Sequence, residues 1–285
     1  MKKQVYMNGS IVPENRAAVS VFDRGLNYGD GLFETMKAAG GKVEFLKDHL
    51  SRLKKGLSLL GFPAGSLKAL EHDIKDGAVQ RLLKANGLQV KTAYLRVTVT
   101  RGTDPDGHLP KKSGPTVIMA ARPIDTDYIS RLRTHGVSAI SLRGYCPVLP
   151  GIKSLNYLPS VLGKAEAVRS GAVEGIFIGP DSSIREGTSS NIFVVSGGVL
   201  LTPPVSSDTA EGVLPGVMRK AVIRLAIKKG VSVREARVCA KDLRSCSEAF
   251  LTNSIWGVVP LISVDKKKVG SGRPGEVARL MQSAL

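Results

Sequence analysis

The sequence predicts an α+β protein made of two domains, and three observations carry that reading. Its second half strings β-type segments across short turns with only two helices among them, without strict βαβ alternation. Residues Arg122 to Asp127 hold a proline and two aspartates with no periodicity, the composition of an interdomain linker. At roughly 150 residues per domain, 285 residues make one large or two medium domains, enough to bury a core without disulfide staples. The division expected is 1–121, a linker over 122–130, and 131–285.

The elements follow in order. Gln4 to Met7 and Ser10 to Pro13 form a hairpin, because Asn8-Gly9 supplies the positive φ angles of a tight turn. From Leu46 the apolar positions 46, 50, 53, 57 and 60 share one helical face, and Gly61-Phe62-Pro63 ends that helix. Ser66 is expected to cap a second helix running to Asn86-Gly87, with Leu70, Ile74, Val79 and Leu82 inward. Gln89 to Arg101 reads as a long strand, Gly102 to Gly114 as a loop, and Thr116 to Ala121 as a strand. Further strands are expected at 136–142, 175–179, 191–195, 199–202, 231–238 and 248–252. Helices are expected at 158–170, with Pro159 in its first turn and Gly171 at its end, and at 216–229.

Composition excludes several classes. With 42% hydrophobic and 23% charged residues the chain is neither disordered nor collagen-like. No run approaches the roughly 20 apolar residues of a bilayer span, and Met1 to Asn8 lacks the apolar core of a signal peptide, so a cytoplasmic protein without a membrane partner is expected. Cys146, Cys239 and Cys246 are too few and scattered for a disulfide framework, and no metal site is expected because the four histidines, His49, His72, His108 and His135, are dispersed. Each of these histidines reads as a surface or packing residue. The net charge of +17 would attract phosphates. Yet the lysine clusters at 54–55, 111–112, 228–229 and 266–268 lie far apart, and aromatic residues are only 5% of the chain. That pattern suits a solvated surface and leaves nucleic-acid binding as the non-enzyme alternative. No GxGxxG or GxxxxGK[ST] motif supports a nucleotide site.

The chemistry-bearing stretches are Gly151-Ile152-Lys153-Ser154-Leu155-Asn156-Tyr157 and Arg185-Glu186-Gly187-Thr188-Ser189-Ser190-Asn191. They stand in order with Asp23-Arg24-Gly25-Leu26-Asn27-Tyr28-Gly29-Asp30-Gly31-Leu32-Phe33-Glu34-Thr35, His49-Leu50-Ser51-Arg52-Leu53, Leu214-Pro215-Gly216-Val217-Met218-Arg219 and Leu251-Thr252-Asn253-Ser254. Over nearly its whole length the sequence resembles the fold-type IV pyridoxal phosphate (PLP) enzymes: branched-chain aminotransferases, D-amino-acid aminotransferases and aminodeoxychorismate lyases. The resemblance implies a two-domain fold like that of D-amino-acid aminotransferase, with a smaller N-terminal α/β domain, a larger β-rich C-terminal domain and the site at their interface. It also implies a homodimer.

PLP chemistry needs a lysine to hold the cofactor as a Schiff base and then to shuttle the substrate α-proton; the resemblance makes this Lys153. It likewise makes Glu186 the carboxylate that keeps the pyridine nitrogen protonated. Phosphate needs a guanidinium and helix-N-terminal amides, implied at Arg52 and at Gly216, Val217 and Met218, with Leu214, Ser189, Asn253 and Ser254 in the remaining cofactor motifs. Tyr157 resembles the tyrosine that hydrogen-bonds the cofactor's phenolic oxygen.

For substrate, Tyr94 and Arg96 resemble the pair that takes the α-carboxylate in branched-chain enzymes, and residues i and i+2 of a strand share a face. Tyr28, Phe33, Ser254 and Ile255 match the other pocket positions. The sequence departs from the branched-chain pattern where Lys37 replaces the usual arginine and where the interval from Lys153 to Tyr157 is one residue shorter. In the loop 101–108, which is similar to that of the D-amino-acid enzymes, Asp106 replaces their carboxylate-binding arginine while His108 keeps their histidine. The expectation is an aminotransferase that moves the amino group of a branched-chain-like L-amino acid to a 2-oxo acid by a ping-pong route. Aminodeoxychorismate lyase, releasing 4-aminobenzoate and pyruvate, is the alternative, and D-amino-acid transamination comes third.

Overall fold

Asn8 and Gly9 take φ angles of 46° and 95°, and the turn they make joins β1 (Gln4–Met7) to β2 (Ser10–Pro13) as the sequence predicts. The computed structural model describes residues 3–104, 114–144, 149–205 and 212–285. Cys146, Asp106, His108 and the 111–112 lysine pair lie outside them. The chain divides into two compact units, one of Met1–Ile124 with Ile152–Asn156, the other of Asp125–Gly151 with Tyr157–Leu285.

In the first unit β1 and β2 are followed by α1 (Arg24–Tyr28), β3 (Gly31–Ala39), β4 (Lys42–Val43), α2 (Leu46–Leu59), α3 (Lys68–Lys75), α4 (Ala78–Ala85), β5 (Ala93–Thr100) and β6 (Thr116–Pro123). Among the described residues its strands form one antiparallel sheet in the order β2-β1-β6-β5-β3-β4. Leu53 and Leu57 are buried on the inner side of α2, the face that the spacing predicts. The single helix expected over 66–86 is two helices, because Gly77 turns left-handed at φ 80° between α3 and α4. Nor does Ser66 cap it; its hydroxyl donates to the Pro63 carbonyl at 2.7 Å instead. The strand expected from Gln89 begins only at Ala93.

Asp23 organises the turn into α1. Its Oδ1 accepts from the Gly25 N–H at 2.7 Å and its Oδ2 from the hydroxyls of Thr100 and Thr116 at 2.8 and 2.7 Å. Nearby, Asp30 Oδ2 accepts from Arg24 Nε at 2.9 Å and Arg101 Nε at 2.8 Å. Much of the Asp23-to-Thr35 motif is therefore structural, fastening α1 and the start of β3 to β5 and β6.

The second unit runs α5 (Thr126–His135), β7 (Val137–Leu142), α6 (Leu158–Arg169), β8 (Glu174–Ile178), β9 (Ile184–Gly187), β10 (Asn191–Ser196), β11 (Val199–Thr202), α7 (Val217–Lys228), β12 (Val233–Glu235), α8 (Asp242–Ser245), β13 (Glu248–Asn253), β14 (Gly257–Val264), β15 (Lys267–Lys268) and α9 (Glu276–Ala284). Its described strands form a mixed sheet in the order β12-β11-β10-β13-β14-β7-β8-β9, with β15 on β14. Both faces are covered, which is why β10 and β13 read as continuous apolar runs. Ile192, Val194 and Leu251 enter one core with Leu132 and Leu243, while Phe193 and Phe250 stack at 5.0 Å in the other beneath Met218, Val222, Ala278 and Met281. The strand expected over 231–238 is three residues long. Residues 122–130, expected to be a linker, carry the end of β6 and the opening of α5, which Asp125 caps by accepting from the Tyr128 N–H at 2.8 Å. Among the described residues no helix is long and apolar enough to cross a membrane.

Candidate active site

On the first unit the sequence-predicted residues gather at the start of β3. The Phe33 N–H donates to the Lys153 carbonyl at 3.0 Å and the Leu155 N–H to the Gly31 carbonyl at 2.9 Å, and Leu32 bridges Ser154. These bonds hang residues 152–156 on β3 as a short extra ladder. Lys153 Nζ then lies 4.4 Å from the centroid of the Phe33 ring, and Arg96 Cζ 3.8 Å from the same centroid. Two cations on one aromatic ring repel each other, and both are attracted to its electron-rich face. Such a pair is a ready receptor for a carboxylate beside a nucleophilic amine.

Register sets the rest of this face. Phe33, Thr35 and Lys37 stand opposite Thr98, Arg96 and Tyr94, and Tyr94 stands opposite Arg122. Arg96 and Tyr94 do share a face, while Ala93, Leu95, Val97 and Val99 fill the core behind it. The Tyr94 hydroxyl is 3.4 Å from the Thr35 hydroxyl, and Arg122 Cζ is 4.2 Å from the Tyr94 ring centroid, a contact that sequence reasoning missed. Lys37 pairs with Glu44 at 2.9 Å. Tyr28 closes α1, exposed, with Arg24 Cζ 4.9 Å from its ring centroid.

Arg52 stands on α2 one turn before Gly56, where an added Cβ would meet Leu32 and Ile152 at 2.6 and 3.1 Å. Glu34 grips its guanidinium with both oxygens, Nε to Oε1 at 2.8 Å and an Nη to Oε2 at 2.6 Å, and takes His49 Nδ1 at 2.7 Å. Glu34 was not singled out from sequence, although it lies within one of the motifs, and His49, expected as a surface or packing residue, is fully buried. Burial alone would raise the Glu34 carboxyl, but the Arg52 charge, with hydrogen bonds from Arg52 and His49, outweighs it and holds the group at about 2 against an ordinary 4.5. A depressed carboxyl contributes stability that is full above its unfolded value, so this contribution is lost as pH falls from about 4.5 through about 2. The gap corresponds to about 3 kcal/mol. Chemical denaturation from pH 7 to 2 should therefore show Glu34→Gln less stable at pH 7 and with a shallower acid loss; parallel curves for the two proteins would refute the assignment.

On the second unit Glu186, on β9, is buried, and its Oε2 accepts from Asn191 Nδ2 at 3.0 Å and from the Leu214 N–H at 3.1 Å. Asn191 also donates to the Leu214 carbonyl at 3.0 Å. A Cβ at Gly216 would lie 1.9 Å from Asn191 Oδ1, so only glycine lets the start of α7 approach this group. That helix begins with no side-chain cap and no acidic residue in its first turn, leaving the amides of Val217 and Met218 to face an anion. Asn191 pairs with Thr252 in the sheet, which sets the Asn253–Trp256 turn at the same end. Asn253 Oδ1 accepts from the N–H groups of Ile255 and Trp256 at 2.9 and 2.7 Å, shaping the turn that presents Ser254 and Ile255. The Tyr157 hydroxyl donates to the Thr188 carbonyl at 2.9 Å, and the Ser189 hydroxyl to Glu174 at 2.8 Å. Glu174 and Asn191 were missed from sequence, the latter inside a quoted motif.

Lys153, Phe33, Arg96 and Tyr94 thus gather on one unit, and Glu186, Leu214, Gly216, Val217 and Met218 gather on the other. Comparison with known proteins bears on what these groups serve. The Amino-transferase class IV family model matches residues 31–264. A Methanocaldococcus jannaschii protein, named provisionally as a branched-chain-amino-acid aminotransferase, is 37% identical over 98% of this chain and 94% of its own. The D-alanine aminotransferase of Bacillus licheniformis is 32% identical over 99% and 95%. The crystal structure of the Escherichia coli branched-chain amino acid aminotransferase superposes with a TM-score of 0.87 at 30% identity, covering 100% of this chain and 93% of that one.

Proposed function

The chain belongs to the class IV aminotransferases, and from that membership we propose that it moves the amino group of a branched-chain-like L-amino acid to a 2-oxo acid, as a cytoplasmic homodimer using PLP. The observation that carries the reading is the Lys153–Phe33–Arg96 cluster, in which a nucleophilic amine and a carboxylate-binding guanidinium share one ring at 4.4 and 3.8 Å. Identity points the same way, being 37% to the relative provisionally named as branched-chain and 32% to the D-alanine enzyme.

The residues present suit the cofactor. A helix start with no acidic residue in its first turn suits a phosphate dianion, a carboxylate whose Oε2 is fixed by two donors suits a pyridinium, and Lys153 suits the aldehyde. When bound, PLP supplies an electron sink for the α-carbon of the donor. Lys153 would hold the cofactor's aldehyde carbon through Nζ, and the same amine would carry the α-proton. Glu186, its carboxylate fixed by the two contacts on Oε2, would keep a proton on the pyridine nitrogen. Arg96 orients the donor through its carboxylate, with Tyr94 beside it on the same face.

Single amino donors added to purified holoenzyme without an acceptor test the reading through the visible absorption of the bound cofactor. L-leucine, L-isoleucine, L-valine or L-glutamate should convert it, and D-alanine should not. Conversion by D-alanine alone would overturn the L assignment, and no conversion by any donor in a cofactor-bearing protein would favour the lyase. Val19, Val21, Phe22, Leu26 and Tyr28 form an exposed apolar run suited to a second copy of the chain; a single-chain mass of 30.3 kDa in solution would exclude the dimer.

A further inference from the structure

Glu174 begins β8 and is fully buried. Its Oε1 accepts from the Thr188 hydroxyl and, at 3.0 Å, from the Gly175 N–H; its Oε2 accepts from the hydroxyls of Ser189 at 2.8 Å and Ser190 at 3.1 Å. Lys164 Nζ stands 3.8 Å from Oε1. Three of these four donors are consecutive residues of the loop between β9, which carries Glu186, and β10, which begins with Asn191. The same loop takes the Tyr157 hydroxyl on the Thr188 carbonyl. Thr188 and Ser190 are buried at 3% and 6% exposure, so Ser189, which is exposed, is the member able to meet a ligand.

A hydroxyl has one proton, and a carboxylate only accepts. With all three protons turned toward Glu174, Ser189 can offer any further partner nothing but lone pairs. A phosphate dianion also offers only lone pairs, whereas an N–H of cofactor or substrate can donate to them. We propose that Glu174 is a positioning residue that fixes the loop after Glu186 and sets the proton direction of its hydroxyls, so that Ser189 meets the bound ligand as an acceptor and is not a phosphate donor. This rests on the PLP reading, and its test needs no amino donor.

Full-length protein stripped of cofactor is titrated with PLP and with pyridoxal, which lacks the phosphate. Ser189→Ala should change both affinities by the same factor, to within threefold; a loss of tenfold or more for PLP alone would overturn the proposal. In Glu174→Gln the Gly175 N–H cannot reverse, so the amide oxygen stays on it and the amide nitrogen faces Ser189 and Ser190, whose protons then turn outward. The preference for PLP over pyridoxal should rise at least threefold, and the rise should vanish in the Glu174→Gln/Ser189→Ala double variant. No rise, or a rise that survives in the double variant, refutes it. Melting temperature controls for damage, and if Glu174→Gln does not fold, the Ser189→Ala titrations decide alone. Failure of either form to bind at all would instead refute the PLP reading.

Discussion

Lys153→Ala is expected to abolish turnover and the covalent attachment of cofactor while leaving the protein folded. The segment around Lys153 is fastened by main-chain bonds, from Phe33 N–H to the Lys153 carbonyl and from Leu155 N–H to the Gly31 carbonyl, and alanine keeps both. Arg96 still covers the Phe33 ring. Only the amine is removed, and with it the proposed nucleophile and proton carrier. Borohydride treatment followed by mass spectrometry should fix a cofactor adduct on the parent protein and none on the variant, with melting temperatures alike. Retained turnover, or an adduct on another lysine, would refute the role of Lys153.

Glu186→Gln isolates charge from shape. The carboxylate receives the Asn191 amide and the Leu214 N–H on a single oxygen. A glutamine oxygen can accept both, so the variant should fold and still bind cofactor. A neutral amide cannot hold a proton on the pyridine nitrogen, and kcat should fall by orders of magnitude. A loss below about tenfold, which is roughly 1.4 kcal/mol, would mean that Glu186 faces something else.

Elements with a strong period were legible: the β1–β2 hairpin, α2, α6 and α7 match their expected places to within two residues. Those missed had physical reasons to be obscure. β3 went unread because Glu34 sits between Leu32 and Met36 on its buried side, breaking the alternation that marks a half-buried strand. Pro260 lies in the middle of β14, and a proline argues against a central strand. α5 buries only Leu132, so its apolar stripe is too thin to see. In the site, motif order pointed to Lys153, Arg52 and Glu186, but not to the groups that aim them. Glu34 reaches Arg52 across 18 positions and His49 across 15, and Glu174 lies 14 to 16 positions before the hydroxyls it binds. No local pattern encodes such distances; the sheets do.

Membership of Ile152–Asn156 in the first unit has a consequence for biosynthesis. The chain leaves that unit at Ile124, lays down α5 and β7, and only then returns to hang Lys153 on β3. A ribosome that has released the first 124 residues has therefore not finished the first unit, since the Gly31 carbonyl and the Phe33 amide still await their partners. Vectorial synthesis leaves the nascent β3 edge open until residue 156 has emerged, and the main chain around Lys153 is the piece that closes it.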